Sequence, residues 1–99
     1  MKITFVIYHD VLEDRITDMM NAAGVDFYTE WENTKGKGHE TIPHLGTRVY
    51  PGFNSVRMIA FEDESILEKI IVLIKELNGT INMKDDHIRL FQMPLERIV

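Results

Sequence analysis

The sequence predicts an α+β fold in the element order β-α-β-β-α-β. Three observations carry the prediction. Apolar and β-branched residues alternate with period two at Ile3–Tyr8 and again at Val56–Phe61. Each run is followed by a stretch whose apolar residues fall on one face of a helix. Turn residues, Gly24 and the pair Asn78-Gly79, close the two helical stretches.

In the first strand Ile3, Phe5 and Ile7 alternate with Thr4, Val6 and Tyr8. Asp10, with Glu13 three residues later, has the spacing of a capping box and marks a helix over Val11 to Ala23. Leu12, Ile16, Met19, Met20 and Ala23 form its apolar face, and Gly24 suits a left-handed termination. A second strand is expected over "VDFYTEWEN", Val25 to Asn33. In the third strand, "SVRMIAFE", Val56, Met58 and Ala60 share one face, and Arg57, Ile59 and Phe61 the other. Asp63 or Ser65 caps the second helix, whose stripe is Ile66, Leu67, Ile70, Ile71, Ile74 and Leu77. "DHIRLFQM" is the fourth strand, and "ERIV" an added edge strand after Pro94.

This order is the split βαβ or ferredoxin-like sandwich: an antiparallel sheet with both helices on one face. The other face, carrying Thr4, Val6 and Tyr8 or their alternates, is too apolar for water and calls for a partner subunit. At 99 residues, with 44% hydrophobic and 27% charged residues and no linker, the chain is expected to be one domain spanning residues 1–99.

Charge and composition exclude several functions. A net charge of −5 opposes non-specific binding to nucleic acid or anionic membranes. The N-terminal apolar run is too short to span a bilayer and lacks a small-residue cleavage site, so a cytoplasmic protein without direct membrane insertion is expected. With no cysteine there is no disulfide, thiolate metal site or cysteine nucleophile, and no Ser-His-Asp set can be assembled. The chain is not expected to be an enzyme.

Chemistry concentrates in the long connection between the second and third strands. Glu32 to Val56 holds four glycines, two prolines and two histidines. Gly36 and Gly38 flank Lys37, which suits either an anion-binding turn or a strand exit with positive φ. His39, Glu40 and His44 are ligand types for zinc, copper or nickel. Asp85, Asp86 and His87 form a second polar cluster that suits either a ligand contact or a polar turn. Arg48 and Arg57 are expected as exposed cations for an anion, with ordinary solvated charge as the simpler reading.

In order and spacing, "LEDRI", "TEWENTKGKGHE", "SVRMIAFEDESILEKIIVLIKEL" and "DDHIRLFQM" resemble the PII signal-transduction family over nearly the whole chain. In that family the second strand ends in a lysine-glycine-x-glycine turn and leads into a long flexible loop. Here the turn reads Thr34-Lys35-Gly36-Lys37-Gly38. The resemblance implies a homotrimer with adenine nucleotides or other small ligands bound between subunits. It also implies a loop, here residues 38–54, that signals the ligand state to a partner protein such as a transporter or an enzyme. The ligand would sit near Gly36, Lys37, Gly38, His39, Glu40, Asp86 and His87, with Arg48 and Arg57 as nearby cations.

The chain departs from the family where phosphates are held. "TINMKDDHI" lacks the family's glycines, His87 stands at the position of its lysine, and only Arg97 remains of its terminal arginines. The loop resembles that of divergent PII-like proteins. The alternative function is metal binding through His39, Glu40 and His44, linked to heavy-metal handling.

Overall fold

The structure is a computed structural model and describes residues 1–99. Its elements are β1 (Lys2–His9), α1 (Glu13–Ala22), β2 (Thr29–Thr34), β3 (Asn54–Phe61), α2 (Glu64–Asn78) and β4 (Arg89–Pro94). The strands form one sheet in the order β2-β3-β1-β4, and every neighbouring pair is antiparallel. The predicted fold and element order are therefore present. No helix is long and apolar enough to cross a membrane.

Both helices cover one face of the sheet. Val6, Tyr8, Ile59 and Phe61 from the strands form a continuous buried core with Ile16 and Met20 of α1 and Leu67, Ile70 and Ile74 of α2. The helical stripes are those read from the sequence. Asp63 caps α2 by accepting from the Ser65 backbone N–H at 2.9 Å, and Gly24 leaves α1 at φ +80°.

The sheet's other face is open, and the structure settles which of the two alternating sets of β1 it carries. Thr4, Val6 and Tyr8 are buried beneath the helices. Ile3, Phe5 and Ile7 face outward beside their cross-strand partners, in the rows Ala60–Ile3–Met93, Met58–Phe5–Phe91 and Val56–Ile7–Arg89. Thr4 tolerates burial because its hydroxyl donates to the Ile59 carbonyl at 3.1 Å.

Four local expectations are corrected. Asp10 does not cap a helix with its side chain. A 3₁₀ turn over Asp10–Leu12 precedes α1, and Asp10 accepts from the Phe53 backbone N–H at 3.3 Å. The capping-box partner Glu13 turns to Arg57. The second strand starts at Thr29 rather than Val25, because Val25 is a buried anchor whose N–H bonds back to Met20. The fourth begins at Arg89, because Asn78 clamps Ile88 through both its N–H and its carbonyl. Residues 96–99 form no strand.

Candidate functional site: a cationic cleft under the long loop

The connection between β2 and β3 is folded against the body. Gly36 and His44 exchange two backbone hydrogen bonds of 2.8 Å, closing a small hairpin. The tip turns at Thr47–Tyr50, where the Tyr50 N–H donates to Thr47 Oγ1 at 2.9 Å. The exit is tied to the end of β1 by the Asp10 N–H, which donates to the Phe53 carbonyl at 2.9 Å. Neither Gly36 nor Gly38 has positive φ. Their missing side chains serve close approach instead: a Cβ on Gly36 would strike the Asn54 amide, and one on Gly38 the Thr41 hydroxyl.

Under this hairpin lies a cleft of about 480 Å³, bounded by the root of the loop, the ends of β1 and β3, and the turn before β4. Of the residues singled out from the sequence, Gly36, Lys37, Gly38, His39, His44, Asp85 and His87 line it. Lys35, Lys84 and Arg89 line it as well, and the sequence reading did not select them. The only acidic residue in the lining is Asp85. The cleft is thus strongly cationic within a chain of net charge −5. Lys84 and Arg89 flank the Asp85–His87 cluster in sequence, and that adjacency was the signal available for them.

His87 also has a structural task. Its Nε2 lies 2.9 Å from the Ile81 carbonyl, so that nitrogen carries the proton. Nδ1 is then the ring atom left without a protein partner.

Glu40 and Arg48 are exposed and lie outside the lining. Asp86 points away to His9, with 2.8 Å between its Oδ1 and His9 Nδ1. The proposed loop metal set does not assemble. His39 and Glu40 are 93% and 79% exposed, whereas His44 is buried against the ring of His9.

Arg57 is the clearest correction among the site residues. It is 1% exposed and lies on the helix side of the sheet. It donates to Glu13 Oε1 and Thr17 Oγ1 at 2.7 Å each and lies 3.5 Å from Glu30. Tyr28 covers the guanidinium at 4.2 Å from its ring centroid. Tyr8 Oη contacts both carboxylates, at 2.6 Å from Glu13 and 2.8 Å from Glu30. One phenol proton cannot serve two ionised carboxylates at once, so both contacts are satisfied only when one carboxyl carries a proton. Burial and the neighbouring Glu13 push the Glu30 carboxyl up. Burial alone would raise Glu13 too, but hydrogen bonds from Tyr8, Glu30 and Arg57 override it and hold Glu13 low. Burial, followed by the two carboxylates, drives the Tyr8 phenol far above its usual range.

No protein-family model matches the chain, and no curated protein matches it in sequence. Solved structures do match its fold. CPII, a nitrogen regulatory PII-like protein from Thiomonas intermedia K12, bound to ADP, AMP and bicarbonate, is 17% identical with a TM-score of 0.65. That match covers 99% of this chain and 94% of CPII. The same protein bound to ADP and bicarbonate matches at 18% identity and a TM-score of 0.67, covering 97% and 88% of the two chains. A third CPII structure, bound to ADP, AMP and acetate, gives 17% and 0.66 with the same coverage.

Proposed function

We propose that this chain, which carries the PII-like fold, is a divergent PII-like regulatory protein, cytoplasmic and without catalytic activity of its own. It senses a small anionic ligand, an adenine nucleotide in the first instance. The observation that carries this reading is the cleft, where Lys35, Lys37, Lys84 and Arg89 converge with Asp85 as the sole carboxylate. Phosphate oxygens are the natural partners of such a lining. The binding of ADP and AMP by CPII, a protein of the same fold, supports the choice of nucleotide. The phosphate-holding glycines are absent here, so side-chain cations would take over part of their work, with Gly36, Lys37, Gly38, His39 and His87 as direct contacts.

The loop over residues 38–54 roofs the cleft through His39, Thr41, Ile42 and His44. A ligand that contacts the roof stabilises one loop arrangement over others, and a partner protein, a transporter or an enzyme, reads the difference. The homotrimer is part of the reading. The open sheet face with Phe5, Met58 and Phe91 at its centre is the surface that three chains would bury.

Calorimetric titration with ATP, ADP, AMP and bicarbonate, in chelator-treated buffer, tests the proposal. A nucleotide should bind, and Lys37→Ala combined with Lys84→Ala should weaken it about 10-fold or more, as expected for lost charge-assisted contacts. Absence of binding by every nucleotide at millimolar concentration would remove the nucleotide reading.

A further inference from the structure

His9, His44 and Asp86 come from three separate parts of the chain: the last residue of β1, the middle of the loop, and the 3₁₀ turn (Lys84–Asp86) ahead of β4. One ligand-type atom from each lies within 4.8 Å of the other two. Asp86 Oδ1 is 2.8 Å from His9 Nδ1 and 3.8 Å from His44 Nε2. Four-coordinate zinc, with bonds of about 2.0–2.2 Å, separates its ligand atoms by about 3.3–3.6 Å. The observed separations bracket that range.

The far nitrogens are already held. His44 Nδ1 lies 2.8 Å from Asn54 Oδ1, an acceptor, so it carries the proton and leaves Nε2 with a lone pair toward Asp86. His9 Nε2 lies 3.4 Å from Asp10 Oδ1, which can take its N–H when Nδ1 is a ligand. A carboxylate or carbonyl behind each imidazole is the support that orients metal-binding histidines. The side chains of His9 and His44 are 16% and 8% exposed, while Asp86 at 29% keeps a route open to solvent.

We propose that His9, His44 and Asp86 bind one divalent transition metal, zinc by ligand type, with water in the fourth position. Bound metal fastens the loop to the body. His44 sits opposite Gly36 in the hairpin, so a bond from its ring to residues 9 and 86 pins the roof of the cleft at its middle. The two rings stack with centroids 3.9 Å apart and 18° between planes. A metal lies in the plane of each imidazole that binds it, so loading rotates the rings out of this stack. The ligand set is distinct from the cleft cations, and the site does not depend on nucleotide binding. It also excludes His39 and Glu40, whose side chains are 93% and 79% exposed.

The test is titration of the metal-stripped full chain with zinc, without nucleotide, against a chromophoric chelator. One equivalent per chain is expected. Asp86→Asn and His9→Ala should each weaken binding at least 10-fold, while His39→Ala leaves it unchanged. Cobalt loading of the unsubstituted chain guards against variants that fail to fold. It should give the visible absorption of a four-coordinate nitrogen–oxygen site and shift the imidazole resonances of His9 and His44 before those of His39 and His87. Cleavage within residues 45–52 by a protease should slow on metal addition. Less than stoichiometric binding, binding that survives His9→Ala, or first perturbation of His39 or His87 would overturn the site.

Discussion

The Arg57 guanidinium lies 2.7 Å from the Glu13 carboxylate, across 44 positions of sequence, and joins β3 to the first turn of α1. Arg57 has one buried nitrogen, Nη1, without a hydrogen-bond partner, so the site is committed to its charge and not fully satisfied. Removing the cation leaves Glu13 and Glu30 facing each other beneath the helix.

Arg57→Met is therefore expected to destabilise the chain by about 3 kcal/mol, the lower end for breaking a buried pair, because Glu13 is 35% exposed. Arg57→Lys should recover little of this, since a single ammonium cannot reach Glu13, Glu30 and Thr17 together. Urea denaturation of the two variants measures both effects. A loss below about 1 kcal/mol in Arg57→Met would mean that the network is energetically idle.

The burial of Arg57 also shows what the sequence contained. Its phase along β3 places it with Ile59 and Phe61, both core residues, so alternation alone pointed inward. The charge argued outward, and its partners Glu13 and Glu30 come from other elements that spacing cannot bring together. The same gap left the two faces of the sheet undecided. Tyr8 and Thr4 are the more polar set in β1, yet both find partners under the helices, and this leaves Ile3, Phe5 and Ile7 outside. Helix faces were legible because a stripe of five or six apolar residues has one solution. The cleft was half legible: the glycine turn and His87 stood out, but Lys84 and Arg89 became site residues only when the turn before β4 met the root of the loop.

The shared proton in the network gives stability a pH signature. Glu30 titrates above its ordinary 4.5 in the folded chain. A group with a raised folded pKa contributes stability that is complete below the unfolded value and lost as pH rises through the folded value. Glu30→Gln removes that loss. Its melting temperature relative to the parent should rise as pH climbs from 4.5 through the elevated Glu30 range. Glu13 has the opposite sign. Glu13→Gln should cost most near neutrality, and its penalty should vanish as pH falls through the lowered Glu13 value. Parallel melting curves across pH for parent and variants would contradict the assignment of the proton to Glu30.

Two glycines with left-handed backbones should respond differently to a methyl group. Gly24, at φ +80°, has open space around it, so Gly24→Ala should cost only the backbone strain, about 1–2 kcal/mol. Gly46, at φ +64°, lies against the ring of Phe53, and an added Cβ would collide with it. Phe53 is the residue that ties the loop to Asp10. Gly46→Ala should therefore expose the loop to limited proteolysis, whereas Gly24→Ala lowers the melting temperature without new cleavage in residues 45–53. Equal protease resistance in the two variants would show that the loop is not held through Phe53.

Assembly is testable at the centre of the open sheet. Phe5 is flanked across the strands by Met58 and Phe91, and Phe91 is 54% exposed in the single chain. None of the three belongs to the buried core, so a charge there should not unfold the domain. It would, however, be trapped without a partner if the face closed against other copies, at a cost of several kcal/mol per ion. The parent chain is expected to sediment at three times its 11.6 kDa mass, and Phe5→Glu as a single folded chain with an unchanged circular dichroism spectrum. A parent that sediments as a monomer would leave this apolar face for a different protein. A variant that stays trimeric would place the subunit contacts elsewhere on the surface.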